Sequence, residues 1–125
     1  MADESDLSKS FLWSVKNGEV AEVRNLLAKE KSLITKAIAG RSPIHFAADY
    51  GQNEVVELLV DNGAGIDVED QYGITPLLSA IFEGHKDTVA LLLKKGAKKN
   101  GTSPDGKTYL ECAETDEIKS LLSNP

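Results

Sequence analysis

The segment from Gly40 to Gly51 reads Gly-Arg-Ser-Pro-Ile-His-Phe-Ala-Ala-Asp-Tyr-Gly, and it returns 33 residues later, from Gly73 to Gly84, as Gly-Ile-Thr-Pro-Leu-Leu-Ser-Ala-Ile-Phe-Glu-Gly. The register holds beyond this core. Val56, Leu58, Leu59, Gly63 and Ala64 recur as Val89, Leu91, Leu92, Gly96 and Ala97. Weaker copies flank the pair, with Gly18 and Val23 one period earlier and Gly106 and Ala113 one period later. A short unit repeated in this way cannot bury its apolar face alone. Neighbouring copies must stack, and function then lies on the positions that stacking leaves outside.

Each copy reads as two short antiparallel helices and a turn. Ser42 and Thr75 are N-caps, followed by Pro43 and Pro76 at the first helical position, where a missing N–H costs nothing. Gly51 and Gly84 end those helices, and Gly63 and Gly96 end the second ones. The spacing predicts helices near 43–50, 53–62, 76–83 and 86–95. The stretch Gly65 to Gly73 is too short and polar for a helix and is expected to project as a β-turn. With its [Ser/Thr]-Pro-Leu-His-like core, this pattern resembles the ankyrin repeat, which implies an all-α solenoid of about four stacked helical pairs with β-turn fingers. The whole chain, 1–125, reads as one ankyrin-repeat domain. Its parts are an N-terminal capping repeat over 1–39, repeats over 40–72 and 73–105, and a shortened C-terminal capping repeat over 106–122. Residues 8–28 carry the first pair, and the connector from Lys29 departs from the Gly-Ala seen at the other repeat ends. Asp116 to Leu122 matches Asp87 to Leu93 at a shift of 29 rather than 33. Four residues are therefore expected to be missing from the turn between the last two helices.

Composition excludes several classes of function. The apolar fraction is ordinary, and no run approaches the roughly 20 apolar residues that span a bilayer. The acidic start lacks the features of a secretion signal. One cysteine, Cys112, rules out an internal disulfide, fits a reducing compartment and is expected to be a half-buried inert thiol. The expected setting is the cytoplasm, with entry to the nucleus by diffusion. Net charge is −6, and no Lys or Arg falls between Arg41 and Lys86, where eight acids do: Asp49, Glu54, Glu57, Asp61, Asp67, Glu69, Asp70 and Glu83. Such a field repels nucleic acid and favours a basic partner. The basic cluster at Lys94, Lys95, Lys98 and Lys99 sits where cations offset a helix end.

Catalysis lacks parts. His45 and His85 hold different places in the repeat, and the resemblance to ankyrin repeats implies that His45, at the last place of the Pro-Leu-His-like motif, hydrogen-bonds turn backbone. Asp67, Glu69 and Asp70 resemble a calcium loop only superficially, lacking its bend glycine and distal glutamate, so no metal and no cofactor are expected. The candidates are instead partner-binding residues on the first helix of each pair. Aligned positions form three rows: Trp13, Phe46, Ser79 and Cys112; Lys16, Asp49, Phe82 and Thr115; Asn17, Tyr50, Glu83 and Asp116. Trp13, Asp49, Tyr50, Phe82 and Glu83 are expected to form an aromatic and acidic strip, with Tyr72 at a finger tip as a further contact.

The likeness is closer than to ankyrin repeats in general. Phe11-Leu12-Trp13-Ser14-Val15-Lys16-Asn17-Gly18, Pro43-Ile44-His45-Phe46-Ala47-Ala48-Asp49 and Ile74 to Ala80, including Leu78, resemble the myotrophin family, as do Glu83-Gly84-His85 and Pro104-Asp105-Gly106. The resemblance covers roughly residues 10 to 122. It implies binding to the heterodimeric actin-capping protein, which such proteins keep off filament barbed ends. A Rel-type transcription factor is the alternative partner. The polar terminal copies predict a monomer, with no nucleic acid or membrane among the partners.

Overall fold

The computed structural model describes residues 4–123. Eight α-helices follow in pairs: α1 (Glu4–Lys16) with α2 (Val20–Lys29), α3 (Pro43–Asp49) with α4 (Asn53–Asp61), α5 (Pro76–Glu83) with α6 (Lys86–Lys94), and α7 (Tyr109–Cys112) with α8 (Asp116–Ser123). Helix α3 packs between α1 and α5, and α5 reaches on to α7, so the odd-numbered helices form an inner layer. The even-numbered helices stack as a second, outer layer. No strand occurs among the described residues, only isolated bridges at Ile38–Arg41 and Thr102–Thr108. This is the solenoid that the period demands.

The core runs between the layers, and equivalent residues fill it in each copy. Val23, Val56 and Val89 are fully buried, as are Leu59 and Leu92. The caps behave as their residues dictate. Thr75 Oγ1 accepts from the Leu78 N–H at 3.2 Å, and Gly84 takes the left-handed conformation after α5. Gly51, at φ +65°, also sits against the His85 ring, where an added Cβ would come within 2.9 Å of Nδ1.

Two expectations need correction. Among the described residues helix α1 runs from Glu4 rather than from near Ser8, because Leu7 extends the apolar stripe of Phe11 and Val15 by one turn onto the core. The C-terminal deletion falls in α7 itself, not in the following turn. Helix α7 has 4 residues where α5 has 8, while residues 113–115 keep an ordinary connection. A shorter turn could not reverse the chain, whereas a terminal helix with fewer neighbours to cover can lose a turn.

The connector after α2 forms a 3₁₀ helix, Lys31–Thr35, which buries Leu33. The first finger then turns at Ala39 and Gly40, whose φ values are +54° and +77°. The second finger reads across to it: the Gln71 N–H donates to the Gly40 carbonyl at 2.9 Å, and Gln71 Nε2 donates to the Ala39 carbonyl at 3.0 Å. Gly40 is required twice over, since a Cβ there would lie 2.4 Å from Gln71 Cδ. Ala39 has no such excuse for its left-handed backbone. Ala39→Gly is expected to stabilise the fold by roughly 0.5–1 kcal/mol, read as a raised urea midpoint with an unchanged slope.

Candidate functional site

The inner helices and the fingers between them present one face, and its centre is organised by Arg41. This side chain leaves the first finger and meets three partners. Nε donates to Asp70 Oδ2 at 3.0 Å, Nη2 donates to Ser79 Oγ at 3.0 Å, and Nη1 pairs with Asp49. Hydrogen bonding to Asp49 outweighs the opposing effect of burial, and with Asp70 it raises the guanidinium above its ordinary value. Its Cζ also lies over the Phe46 ring, 5.1 Å from the centroid. Lys16 Nζ approaches the same ring at 5.1 Å and the Tyr50 ring at 5.8 Å. The heart of the strip therefore interleaves rings with cations, where a purely acidic and aromatic surface was expected.

Asp70 is the second organiser. Its side chain is 1% exposed, and Oδ1 accepts from the Tyr72 N–H at 2.8 Å and the Ile74 N–H at 3.0 Å. Burial would raise this carboxyl, but the Ile74 and Tyr72 amides and the guanidinium prevail and hold it below the usual carboxylate value. Asp70 thus folds the second finger and locks it to the first. It is a structural carboxylate, not part of a docking field.

The sequence-derived candidates separate on this frame. Tyr50 and Phe82, at the ends of α3 and α5, are 52% and 48% exposed, and Glu83 is exposed beside Phe82. Tyr72 is 63% exposed on the second finger. Asp49 is a correction: it is half-buried and ion-paired with Arg41, which it shares with Asp70, so it is not a bare carboxylate. Trp13 is another. It is 59% exposed, but it lines a shallow groove with Lys9, Ser10, Ser14, Glu19 and Glu22. Ser8, Phe11 and Leu12 on the opposite side of α1 line a small cavity together with Pro43 and Phe46 of α3. Phe46 points toward the preceding repeat; the equivalent Trp13 has no described repeat before it and stands at the end of the stack. The rows also stop early. Thr115 accepts from the Ile118 N–H at 3.3 Å as the cap of α8, and Asp116 is the first residue of α8, because α7 is a turn short.

Charge is similarly rearranged. Lys95 reaches from the end of α6 to Asp61 at 3.1 Å and to Glu57 at 4.0 Å, and Asp67 accepts from the Lys98 N–H at 3.0 Å. Of the eight acids, Glu54, Glu69 and Glu83 alone make no such contact among the described residues. Sequence reasoning missed Arg41 because its partners are 8, 29 and 38 residues away. The available signal was a lone Arg at a finger position that holds Ile74 in the next copy.

His45 is fully buried, as a structural residue should be. The Ser42 N–H donates to its Nδ1 at 3.2 Å, which places the proton on Nε2, donating to the Ile74 carbonyl at 2.7 Å. Burial lowers its pKa from the ordinary value. An unfolded chain therefore binds a proton that the folded one resists, and stability falls as pH drops below about 6.5. The stability difference between the parent and His45→Gln is expected to shrink between about pH 7 and 5, measured by urea unfolding at each pH. A pH-independent difference would contradict the assignment. His85 plays a second structural part, with Nε2 donating to the Asp49 carbonyl at 2.8 Å; Gln52, one period earlier, donates in the same way to the Lys16 carbonyl at 2.7 Å.

Among the described residues no group of three His, Cys, Asp or Glu could hold a metal ion, and no helix is long and apolar enough to cross a membrane. A family profile described as ankyrin repeats (3 copies) matches residues 11–103. Myotrophin from Xenopus tropicalis is 46% identical over 114 residues, covering 91% of this chain and 97% of that protein. Human protein phosphatase 1 regulatory subunit 27 is 35% identical over 107 residues, covering 85% of this chain and 70% of its own. The human transient receptor potential cation channel subfamily A member 1 is 34% identical over 100 residues, which is 9% of that channel. The repeats, their stacking and a likeness that runs nearly end to end in both proteins make this chain a protein-interaction module that belongs to the ankyrin-repeat family and, within it, to the myotrophin family.

Proposed function

We propose that this chain binds the heterodimeric actin-capping protein and inhibits its capping of filament barbed ends, thereby regulating actin assembly in the cytoplasm. The observation that supports this reading best is the 46% identity to myotrophin over 97% of that protein's length. That likeness also covers 91% of this chain, so it extends over nearly all of the surface that a partner could meet. The contact would be made by the inner face, where Tyr50, Phe82 and Glu83 stand exposed around the Arg41 cluster and Tyr72 projects beside them. Large rings of this kind anchor interfaces because they bury area at little entropic cost.

A capping protein that seats on acidic filament ends is expected to present a basic surface, and Glu83 on the inner face and Glu69 on the second finger supply unpaired charge to meet it. The test is barbed-end actin polymerisation with capping protein present, in which this chain is expected to restore growth in proportion to its concentration. Growth that stays blocked at saturating chain would refute the reading. Raising salt past about 0.15 M should slow association, modestly because so few acids remain unpaired, and leave dissociation nearly unchanged.

A further inference from the structure

The 33-residue period aligns the groove between α2 and α4 with the one between α4 and α6. Arg24 then takes the place of Glu57, Ala28 that of Asp61 and Asn62 that of Lys95. In the α4–α6 groove these positions lace the two helices together, through Lys95 to Asp61 at 3.1 Å and to Glu57 at 4.0 Å. In the α2–α4 groove the lacing is gone. Ala28 is too short to cross, and the Asn62 amide turns back onto its own helix to donate to the Leu58 carbonyl at 2.7 Å. A cavity of about 270 Å³ opens there, with Leu27, Ile34 and Leu58 as its apolar walls and the exposed Arg24 and Lys31 beside them.

The electrostatics are inverted as well. Where the next groove carries Glu57, this one carries Arg24, and neither Arg24 nor Lys31 has an ion-pair partner among the described residues. No carboxylate lines the cavity. The 3₁₀ connector after α2 supplies both Lys31 and Ile34, so the departure from the usual Gly-Ala repeat end builds one side of the site.

We propose that the α2–α4 groove is a second docking site, on the outer layer, for an acidic peptide segment of a partner protein that inserts one apolar side chain between Arg24 and Lys31. Charge complementarity selects the acid, in a chain whose net charge of −6 would otherwise repel it. The walls select the anchor: the cavity lies just below the roughly 300–1,000 Å³ of small-molecule pockets, and Leu27, Ile34 and Leu58 give it room and apolar contact for a side chain. An anionic bilayer is the weaker fit, because it would also be pressed against Glu22, Glu57 and Asp61 on the same layer.

The test uses the full-length, ¹⁵N-labelled chain and a five-residue blocked peptide with a central leucine flanked on each side by two aspartates. Amide shifts are expected to centre on Arg24, Leu27, Lys31 and Leu58. Replacing the peptide's leucine by glycine should abolish them, as should Arg24→Glu in the protein. The double variant Ala28→Asp, Asn62→Lys rebuilds the ion pair of the neighbouring groove and should weaken binding by about tenfold or more while the rest of the spectrum is retained. Binding that survives this variant, or shifts centred on Lys94 to Lys99, would overturn the proposal. So would a response of the same amides to phosphatidylserine vesicles but not to the peptide. None of these readouts involves capping protein, so the result stands apart from the function proposed for the inner face.

Discussion

Arg41→Ala is expected to cost about 3 kcal/mol of folding stability, the low end of the roughly 3–5 kcal/mol lost when one partner of a buried ion pair is removed. The low end applies because Arg41 and Asp49 retain some contact with water, whereas Asp70 does not. Without the guanidinium, the Asp70 carboxylate keeps its two backbone donors but carries a buried, uncompensated charge. The two fingers would also lose the Arg41–Asp70 tie, keeping that of Gln71 to the Ala39 carbonyl, and Ser79, itself buried, would lose its Nη2 donor. Denaturant unfolding should show a lower midpoint with little change in slope. Arg41→Lys should fall between the two, since an ammonium keeps the charge but cannot reach three partners in a fixed fork.

The pH dependence gives a second handle on the same cluster. The folded Asp70 carboxyl lies below its unfolded value, so its contribution is present above about pH 4 and is lost as pH falls through the folded value. Removing Arg41 takes away one of the groups that depress it. The gap between parent and Arg41→Ala should therefore narrow as pH falls toward about 3. A cost below about 1 kcal/mol at neutral pH, or a gap that widens in acid, would show that Arg41 is not the organiser of this face.

The double variant Tyr50→Ala, Phe82→Ala is expected to weaken capping-protein binding by on the order of 3–4 kcal/mol, between about a hundredfold and a thousandfold. Both rings are about half exposed, so their removal should leave stability within roughly 0.5–1 kcal/mol of the parent. In the barbed-end assay the concentration needed to restore growth should rise by the same factor. Glu83→Lys, at an exposed position, tests the charge alone and should cost less. Asp49→Lys is a poor probe of contact, because a cation placed against Arg41 would disturb the cluster before any partner was met. If the folded Tyr50→Ala, Phe82→Ala protein restores growth as well as the parent, the inner strip is not the contact. A deficit confined to Trp13→Ala would move the contact to the end of the stack instead.

Tyr50 and Phe82 were legible as candidates because helix periodicity tells which positions stacking does not need. Asp49 obeys the same periodicity, yet its role depends on a finger residue eight positions earlier that no local rule connects to it. Asp70 looked like one acid in a run of three; only the turn geometry revealed a carboxylate bound by two amides and a guanidinium. Trp13 shares a register with Phe46, but register does not say whether a preceding repeat is there to cover the ring.

By itself the sequence determined the architecture: the period, the Ser/Thr-Pro caps and the glycine stops each act over a few residues, and their agreement in one register leaves a single way to stack. Helix limits at Pro43–Asp49, Asn53–Asp61, Pro76–Glu83 and Lys86–Lys94 follow from those local signals to within a residue. Tertiary structure alone decided which charges remain free, where the deleted turn falls and which inter-helix groove stays open. These depend on long side chains crossing between repeats. Lys95 closes one groove, Asn62 leaves its counterpart open, and Arg41 engages two acids at once, because reach and competing partners are set in space and not along the chain.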